Sequence, residues 1–404
     1  MRQYIYIIGI LLCLLTPQAG WAQQAEPLDI RLLETPIPLG KEWYQEQERL
    51  WKAELKKDKK NEKAWENYSF ARLAQYGWFP SDSLKREIER VARECGKGIG
   101  KYIPGTRVYY ETLLTEARLA KDVKAKEKAL IGLLTTKRTS MRHYIHDVYL
   151  CFEEKRTEDL KRICKEWYNS GLYSNDMLFY CYNELVGLEP GAVVIAGSNV
   201  GQAYYALLQY GAGLFQKVEF VGIVDLLFPM LHKEFWERIG VDVQKELPDW
   251  AGRKNCPGAQ YLTEKLNRPV YCSQLLANKH LLKGLESFFY SEGLVLRYSR
   301  KPYNNLAAMR RNYEQNYLLD YLKCQWMPDG SYMSNSAEVS RNYIVSLSPL
   351  LRFYDASGDK NRAAELRSLL QGILDDSLDS KKTYREDEEA KAYAEKVDLS
   401  YVLK

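Results

Sequence analysis

Ala192-Val193-Val194-Ile195-Ala196-Gly197-Ser198-Asn199 is the stretch on which the fold turns. Five apolar residues with no polar break are the mark of a strand covered on both faces. Gly197-Ser198-Asn199 ends the run, and a helical pattern follows from about Gly201 to Tyr210. A strand that feeds a helix returns to pair in parallel, because the crossover turns the chain round. The next apolar run, Val218 to Val224, supplies that partner and ends at Asp225. Pro269-Val270-Tyr271-Cys272 is a third run, after a helical stretch around Phe235, and Leu294 to Tyr298 is a fourth candidate. Alternating strands and helices predict a small parallel sheet in a central α/β domain, Rossmann-like, over residues 188–302.

Working outward, residues 23–187 read as a mainly α, helical-repeat domain, α-solenoid-like in its paired helices. Trp43, Leu50, Trp51 and Leu55 share one helical face, as do Ala64, Tyr68 and Ala71. Leu160, Ile163, Cys164, Trp167 and Tyr168 follow the spacing i, i+3, i+4, i+7, i+8. Pro80, Pro104-Gly105, Gly171 and Gly187 mark the breaks. Ala64-Trp65-Glu66-Asn67-Tyr68 resembles the first helix of a tetratricopeptide-type repeat, without a strict period. On the other side, 303–375 reads as a C-terminal helical pair. Asp359 caps the second helix and Leu366, Leu369, Leu370, Ile373 and Leu374 form its apolar face. A charged tail, 376–404, follows.

Residues 1–22 read as a signal peptide. Arg2 is the positive start, Ile5 to Leu15 the apolar core, Pro17 the helix break, and Gly20 and Ala22 the small residues before cleavage. Cys13 follows Leu11-Leu12 rather than small residues, which argues against lipidation. The mature chain is expected to be soluble, without a transmembrane segment, and periplasmic or otherwise exported.

The 404 residues carry 58 Lys and Arg against 53 Asp and Glu, a net charge of +5. Opposite charges are interspersed, so nucleic acid is not an expected partner. The basic group Arg297, Arg300, Lys301, Arg310 and Arg311, interleaved with Tyr298, Tyr303 and Tyr313, reads as a solvated face, with acidic glycan or lipid headgroups as its functional alternative. Eight cysteines occur, none in a CxxC pair. Cys151, Cys164 and Cys181 read as buried packing residues, and Cys256 with Cys272 as the better disulfide candidates. His143, His146 and Asp147 lie on one helix, but with four histidines in the chain no third ligand is evident. No metal or cofactor is expected. The 31 tyrosines read as helix-packing residues. The sequence carries no G-K-[ST], H-E-x-x-H or G-x-S-x-G motif.

In an open α/β sheet, ligands bind beyond the carboxyl ends of the strands. Those ends present Ser198, Asn199 and Gln202 after the first strand and Asp225 after the second. Hydroxyl, amides and one carboxylate suit a polar ligand. The bland alternative is a strand-to-helix turn with a capping residue.

The same stretch resembles the extracytoplasmic C-terminal part of a bacterial family of protein O-mannosyltransferase-like multi-spanning membrane proteins. That family has a strand, Gly-Asp-Asn-Asp, a helix ending near Tyr-Leu-Gln, and a strand leading to paired leucines and a tryptophan. The matching residues are Gly197-Ser198-Asn199-Val200, Leu207-Leu208-Gln209, the run Val218 to Val224, Leu226-Leu227 and Trp236. Arg268-Pro269-Val270-Tyr271, Glu292-Gly293-Leu294 and the helix from Gly358-Asp359 to Leu374 continue the likeness over about the C-terminal half. Ser198 and Val200 replace the family's two acids, and its membrane-spanning part has no counterpart, so the resemblance implies compartment and fold rather than activity. Together these readings predict an exported, non-catalytic binding or scaffold protein of the cell envelope, with a protein or glycan partner. The alternative is a glycan-processing enzyme or glycosyltransferase accessory factor using the strand-end crevice.

Overall fold

The computed structural model describes residues 27–30, 40–76, 82–227, 229, 233–246, 257–274, 282, 284–323 and 335–379. The leader, Pro80, Cys256 and the tail beyond 379 lie outside the described residues. The chain divides between Lys137 and Arg138 into two compact units.

The first unit contains α1 (Lys41–Lys57), α2 (Glu62–Ala74), α3 (Asp82–Tyr102), α4 (Arg107–Leu119) and α5 (Val123–Thr135). Each packs on the next in the chain. Asn61, Thr106 and Asp122 begin three of them, each side chain accepting a backbone N–H from the first turn. Leu50, Trp51 and Leu55 are buried on one face of α1, and Ala64, Tyr68 and Ala71 on α2. Trp65 anchors this core. Its indole N–H donates to the Lys59 carbonyl at 2.9 Å, and its ring stacks on Tyr102 at 6.2 Å. Gly98 of α3 makes room for it, since a Cβ there would lie 2.3 Å from the indole.

The second unit opens with α6 (Met141–Glu153), α7 (Thr157–Ser170) and α8 (Asn175–Val186). The sequence pattern groups these three with the N-terminal repeats; in the structure α6 and α8 pack against the helix that follows the first strand. Leu160, Ile163, Cys164 and Trp167 are buried on α7, whereas Tyr168 is 39% exposed and stacks on Tyr173 at the surface.

Then come β1 (Val193–Ile195), α9 (Asn199–Ala206), β2 (Glu219–Val221), α10 (Ile223–Leu227), α11 (Lys233–Arg238), α12 (Val243–Glu246), α13 (Pro257–Glu264), β3 (Val270–Ser273), β4 (Phe289–Ser291) and β5 (Val295–Tyr298). The described strands form one sheet, in the order β2-β1-β3-β5-β4. β1 pairs in parallel with β2, Val194 opposite Phe220, and with β3, Val194 opposite Tyr271. Val193, Ile195, Val221, Val270 and Cys272 point to one face and pack with Leu226, Trp236, Ala259 and Leu262 of α10 to α13. The opposite face, with Phe220 and Ser273, meets Tyr205 of α9 and Glu184 of α8. The order reverses at β1, and the connections before and after β2 lie on opposite faces. That is the arrangement in which successive crossovers keep one hand.

The sheet is mixed rather than parallel: β5 runs antiparallel to β3 and to β4. The cause is a tight hairpin at Glu292-Gly293-Leu294, where Gly293 has φ +108° and the Tyr317 hydroxyl sits so close that only glycine fits. β4 was not legible as a strand, and without it the hairpin was not either. β2 is also shorter than its apolar run, stopping at Val221.

Helix α14 (Asn305–Arg311) leads to α15 (Asn335–Ser357) and α16 (Lys360–Asp379), which pack together as the expected C-terminal pair. Asp359 accepts the Arg362 N–H at 3.2 Å, and Leu366, Leu369, Leu370, Ile373 and Leu374 are all buried. Among the described residues no helix is long and apolar enough to cross a membrane.

Candidate functional site

Ser198 leaves β1 in extended conformation, and its hydroxyl accepts the Gly201 N–H at 3.1 Å. It is therefore the capping residue of α9, the bland alternative for this position. Asn199, the first residue of that helix, is exposed to solvent. Gln202, one turn on, is buried, and its amide donates to Asp225 Oδ2 at 3.2 Å. The same oxygen accepts the Gly222 N–H at 2.9 Å. Asp225 thus lies in the first turn of α10 rather than at a strand end, because its carboxylate captures the backbone and turns the chain into helix. A Cβ at Gly222 would come within 2.4 Å of the Gln202 amide oxygen, so a larger residue there displaces that amide. The Trp236 indole N–H donates to the Asp225 carbonyl at 3.2 Å and fixes the turn from below. Of the four predicted site residues, the structure joins Gln202 to Asp225, gives Ser198 to the helix start and leaves Asn199 outside.

Gln202 and Asp225 line a cleft with a cavity volume of about 70 Å³, walled by β2, α9, α11 and the α6–α7 corner. Phe220 and Phe235 form its floor, and Phe152 meets Phe220 edge-on at 6.0 Å. A π-helical turn, Leu207–Gly211, follows α9 and carries Tyr210 into the wall. Two cations share the lining. Arg238 is held by Glu219 at 2.8 Å and lies over the Phe235 ring. Lys155 is exposed and sits just past the end of α6 with φ +57°, where Arg156 N–H closes the helix onto the Cys151 carbonyl. Asp225 is the one carboxylate in the lining among the described residues. Cys151 also lines it, but burial pushes its thiol up to about 12, so it is no nucleophile at neutral pH.

A second polar centre lies beside the end of β3 and was missed by the sequence reading. Glu184 on α8 is only 1% exposed. Tyr205 donates its hydroxyl to one carboxyl oxygen at 2.7 Å, and Ser273 donates to the other. Burial outweighs both hydrogen bonds and pushes the carboxyl up to about 7. The signal was present: Asn183-Glu184 interrupts an otherwise apolar and aromatic helix, Met177 to Val186. Asn183 clamps both the N–H and the carbonyl of Leu318, at 2.8 and 2.9 Å, and meets the Tyr343 hydroxyl.

The other candidates resolve into packing. His143 Nδ1 accepts the Thr139 N–H at the start of α6, and Asp147 is buried against Arg138 at 2.6 Å. No group of metal-ligating side chains forms among the described residues. Cys272 is a buried free thiol. In the basic group, Arg297 pairs with Glu189 and Glu292, Arg300 with Glu264 and Arg310 with Glu314, so acids sit beside these three bases. Neither a protein-family profile, a curated protein nor a solved structure matches this chain.

Proposed function

We propose that this chain is an exported, non-catalytic binding protein of the cell envelope that holds a polar ligand, or a polar group of a protein or glycan partner, in the cleft at Gln202 and Asp225. The observation that carries this reading is the Gln202–Asp225 pair, a fixed amide and carboxylate facing a cavity floored by aromatic rings. Such a set selects a ligand by hydrogen bonding and shape. Acid–base catalysis asks for two titrating groups with separated proton affinities at one substrate. Glu184 has the raised affinity, but it is sealed between Tyr205 and Ser273 and is not part of the cleft lining. The signal-peptide reading and the resemblance to an extracytoplasmic region supply the envelope location.

A thermal-shift panel of envelope glycans, short peptides and amino acids tests the reading. At least one ligand is expected to raise the wild-type melting temperature and to leave Asp225→Ala unmoved. Ligand at a hundred times its Kd stabilises by about 2.7 kcal/mol, well within detection. Product released by wild type and not by Asp225→Ala would overturn the reading in favour of a glycan-processing enzyme.

A further inference from the structure

We infer that the turn joining α4 to α5 is a docking surface for an anionic lipid bilayer: Leu119 and Val123 enter the headgroup layer, and Lys121, Lys124 and Lys128 meet its phosphates. These residues belong to the first unit and none lines the cleft. Arg118 to Ala125 are exposed without a break. Within that stretch Val123 is 73% exposed and Leu119 41%, and Ile131, further along α5, is 46% exposed. The turn is fixed by its backbone. Lys121 has φ +54°, and the Asp122 N–H closes α4 onto the Ala117 carbonyl at 2.9 Å. The Asp122 carboxylate then accepts the Ala125 N–H at 3.0 Å and starts α5. Ala129, Leu130, Leu133 and Leu134 form the buried face of α5, so Lys124, Lys128 and Ile131, at i, i+4 and i+7, share its outer face.

Charge identifies the occupant. Between Arg118 and Lys128 five basic residues stand against two acids, where the whole chain is nearly balanced at 58 to 53. Elsewhere lysines pair with acids one turn away, as Lys57 does with Glu54, Lys161 with Glu158 and Lys233 with Glu237. Lys121, Lys124 and Lys128 form no ion pair among the described residues, while Arg118, Lys126 and Glu127 have contacts of their own. Cations around protruding apolar side chains complement a layer of phosphates over hydrocarbon. That layer is fluid, so the charges have no fixed spacing to match. A protein partner fits less well, because protein interfaces favour arginine and aromatic residues over lysine, and this stretch offers four lysines, one arginine and no aromatic ring.

The test is co-sedimentation of the chain from Gln23 onward, free of the leader's apolar core, with vesicles of phosphatidylcholine alone or with about 30% phosphatidylglycerol. Binding is expected to the anionic vesicles alone. It should fall away between about 0.1 M and 1 M salt, as the Debye length shrinks from about 10 to 3 Å. Lys121→Gln, Lys124→Gln and Lys128→Gln together should weaken it about hundredfold, and Val123→Ser about tenfold. These side chains are exposed, so the variants keep the fold, which an unchanged melting temperature checks. Lys217→Gln, Lys245→Gln and Lys301→Gln together, all exposed on the second unit, remove the same charge and should leave binding as in wild type. Equal losses in the two triple variants, equal binding to neutral and anionic vesicles, a Val123→Ser that binds as wild type does, or no binding by the wild type would each overturn the bilayer surface and leave the cleft reading standing.

Discussion

Glu184 and Asp225 are carboxylic acids of the same unit, and their surroundings give them opposite tasks. Asp225 faces a cleft; Glu184 is enclosed by neutral groups, with Tyr205 and Ser273 bonded to it and Tyr180, Cys181, Cys272, Tyr317 and Tyr343 around it. Its carboxyl is raised from the ordinary 4.5 to about 7, so the native state holds the proton more tightly than the unfolded chain. The stability this contributes is fully present below the ordinary value and is lost as pH rises through about 7, a change of roughly 3 kcal/mol. Urea unfolding at pH 4.5 and pH 8 measures it: wild type should lose markedly more stability across that range than Glu184→Gln. Equal losses would show that the carboxyl does not carry the pH dependence. At this scale the sequence was half legible. Asp225 and Gln202 stood out by their place after strands, while Asn199 did not turn inward, since a residue starting a helix after a capping serine points to solvent. Lys155 was invisible, because its place in the cleft comes from the left-handed end of α6, two elements away in the chain.

Elements were read best where a periodic pattern was long. The apolar face of α16, from Leu366 to Leu374, and the pairing of β1 with β2 follow directly from spacing and from unbroken hydrophobicity. Short elements failed. β4 is three residues long, Phe289–Ser291, and its hairpin with β5 rests on one glycine conformation. Tyr168 fitted the helical spacing of α7 yet lies at the margin of its apolar stripe, beyond the reach of the core. A contact that no spacing rule reports joins α2 to α3, where Trp65 occupies the room left by Gly98. Alanine at position 98 gains about 1 kcal/mol of helix propensity but forces the rigid indole out of its stack on Tyr102. Overpacking of this kind costs about 1–3 kcal/mol, so Gly98→Ala should lower the melting temperature, and Gly98→Ala with Trp65→Phe should recover part of the loss. An unchanged or higher melting temperature for the single variant would mean that the helix shifts to accept the methyl group.

For the whole molecule, the mainly α class with a small central sheet was legible. The division at Lys137/Arg138 was not, because the helices on either side of it have the same texture. α6 and α8 both pack on α9, where the Tyr204 hydroxyl meets Met141 and accepts the Ser174 N–H. The export reading makes its own prediction. Sequencing the N-terminus of protein recovered from the envelope fraction should find Gln23 first, after cleavage behind Ala22. A chain still beginning at Met1 would remove the basis for placing the protein outside the cytoplasm.

The reversal of strand order at β1 bears on how such a chain is made. Among the described strands β1 is the first to be synthesised and the middle one of the parallel three, so both of its neighbours arrive later, β2 first and β3 only with Val270. Long-range pairing of this kind pays its loop-closure entropy before any contact rewards it. The apolar run Ala192 to Ala196 therefore waits unpaired while the chain emerges, a segment with every backbone donor and acceptor open to a wrong partner. α6 to α8, which precede it, are held by local hydrogen bonds that form faster than pairing between distant strands. A chain synthesised in this order exposes its most adhesive segment before the strands that cover it exist. Holdase chaperones would therefore meet it at that point, between the emergence of β1 and that of β3.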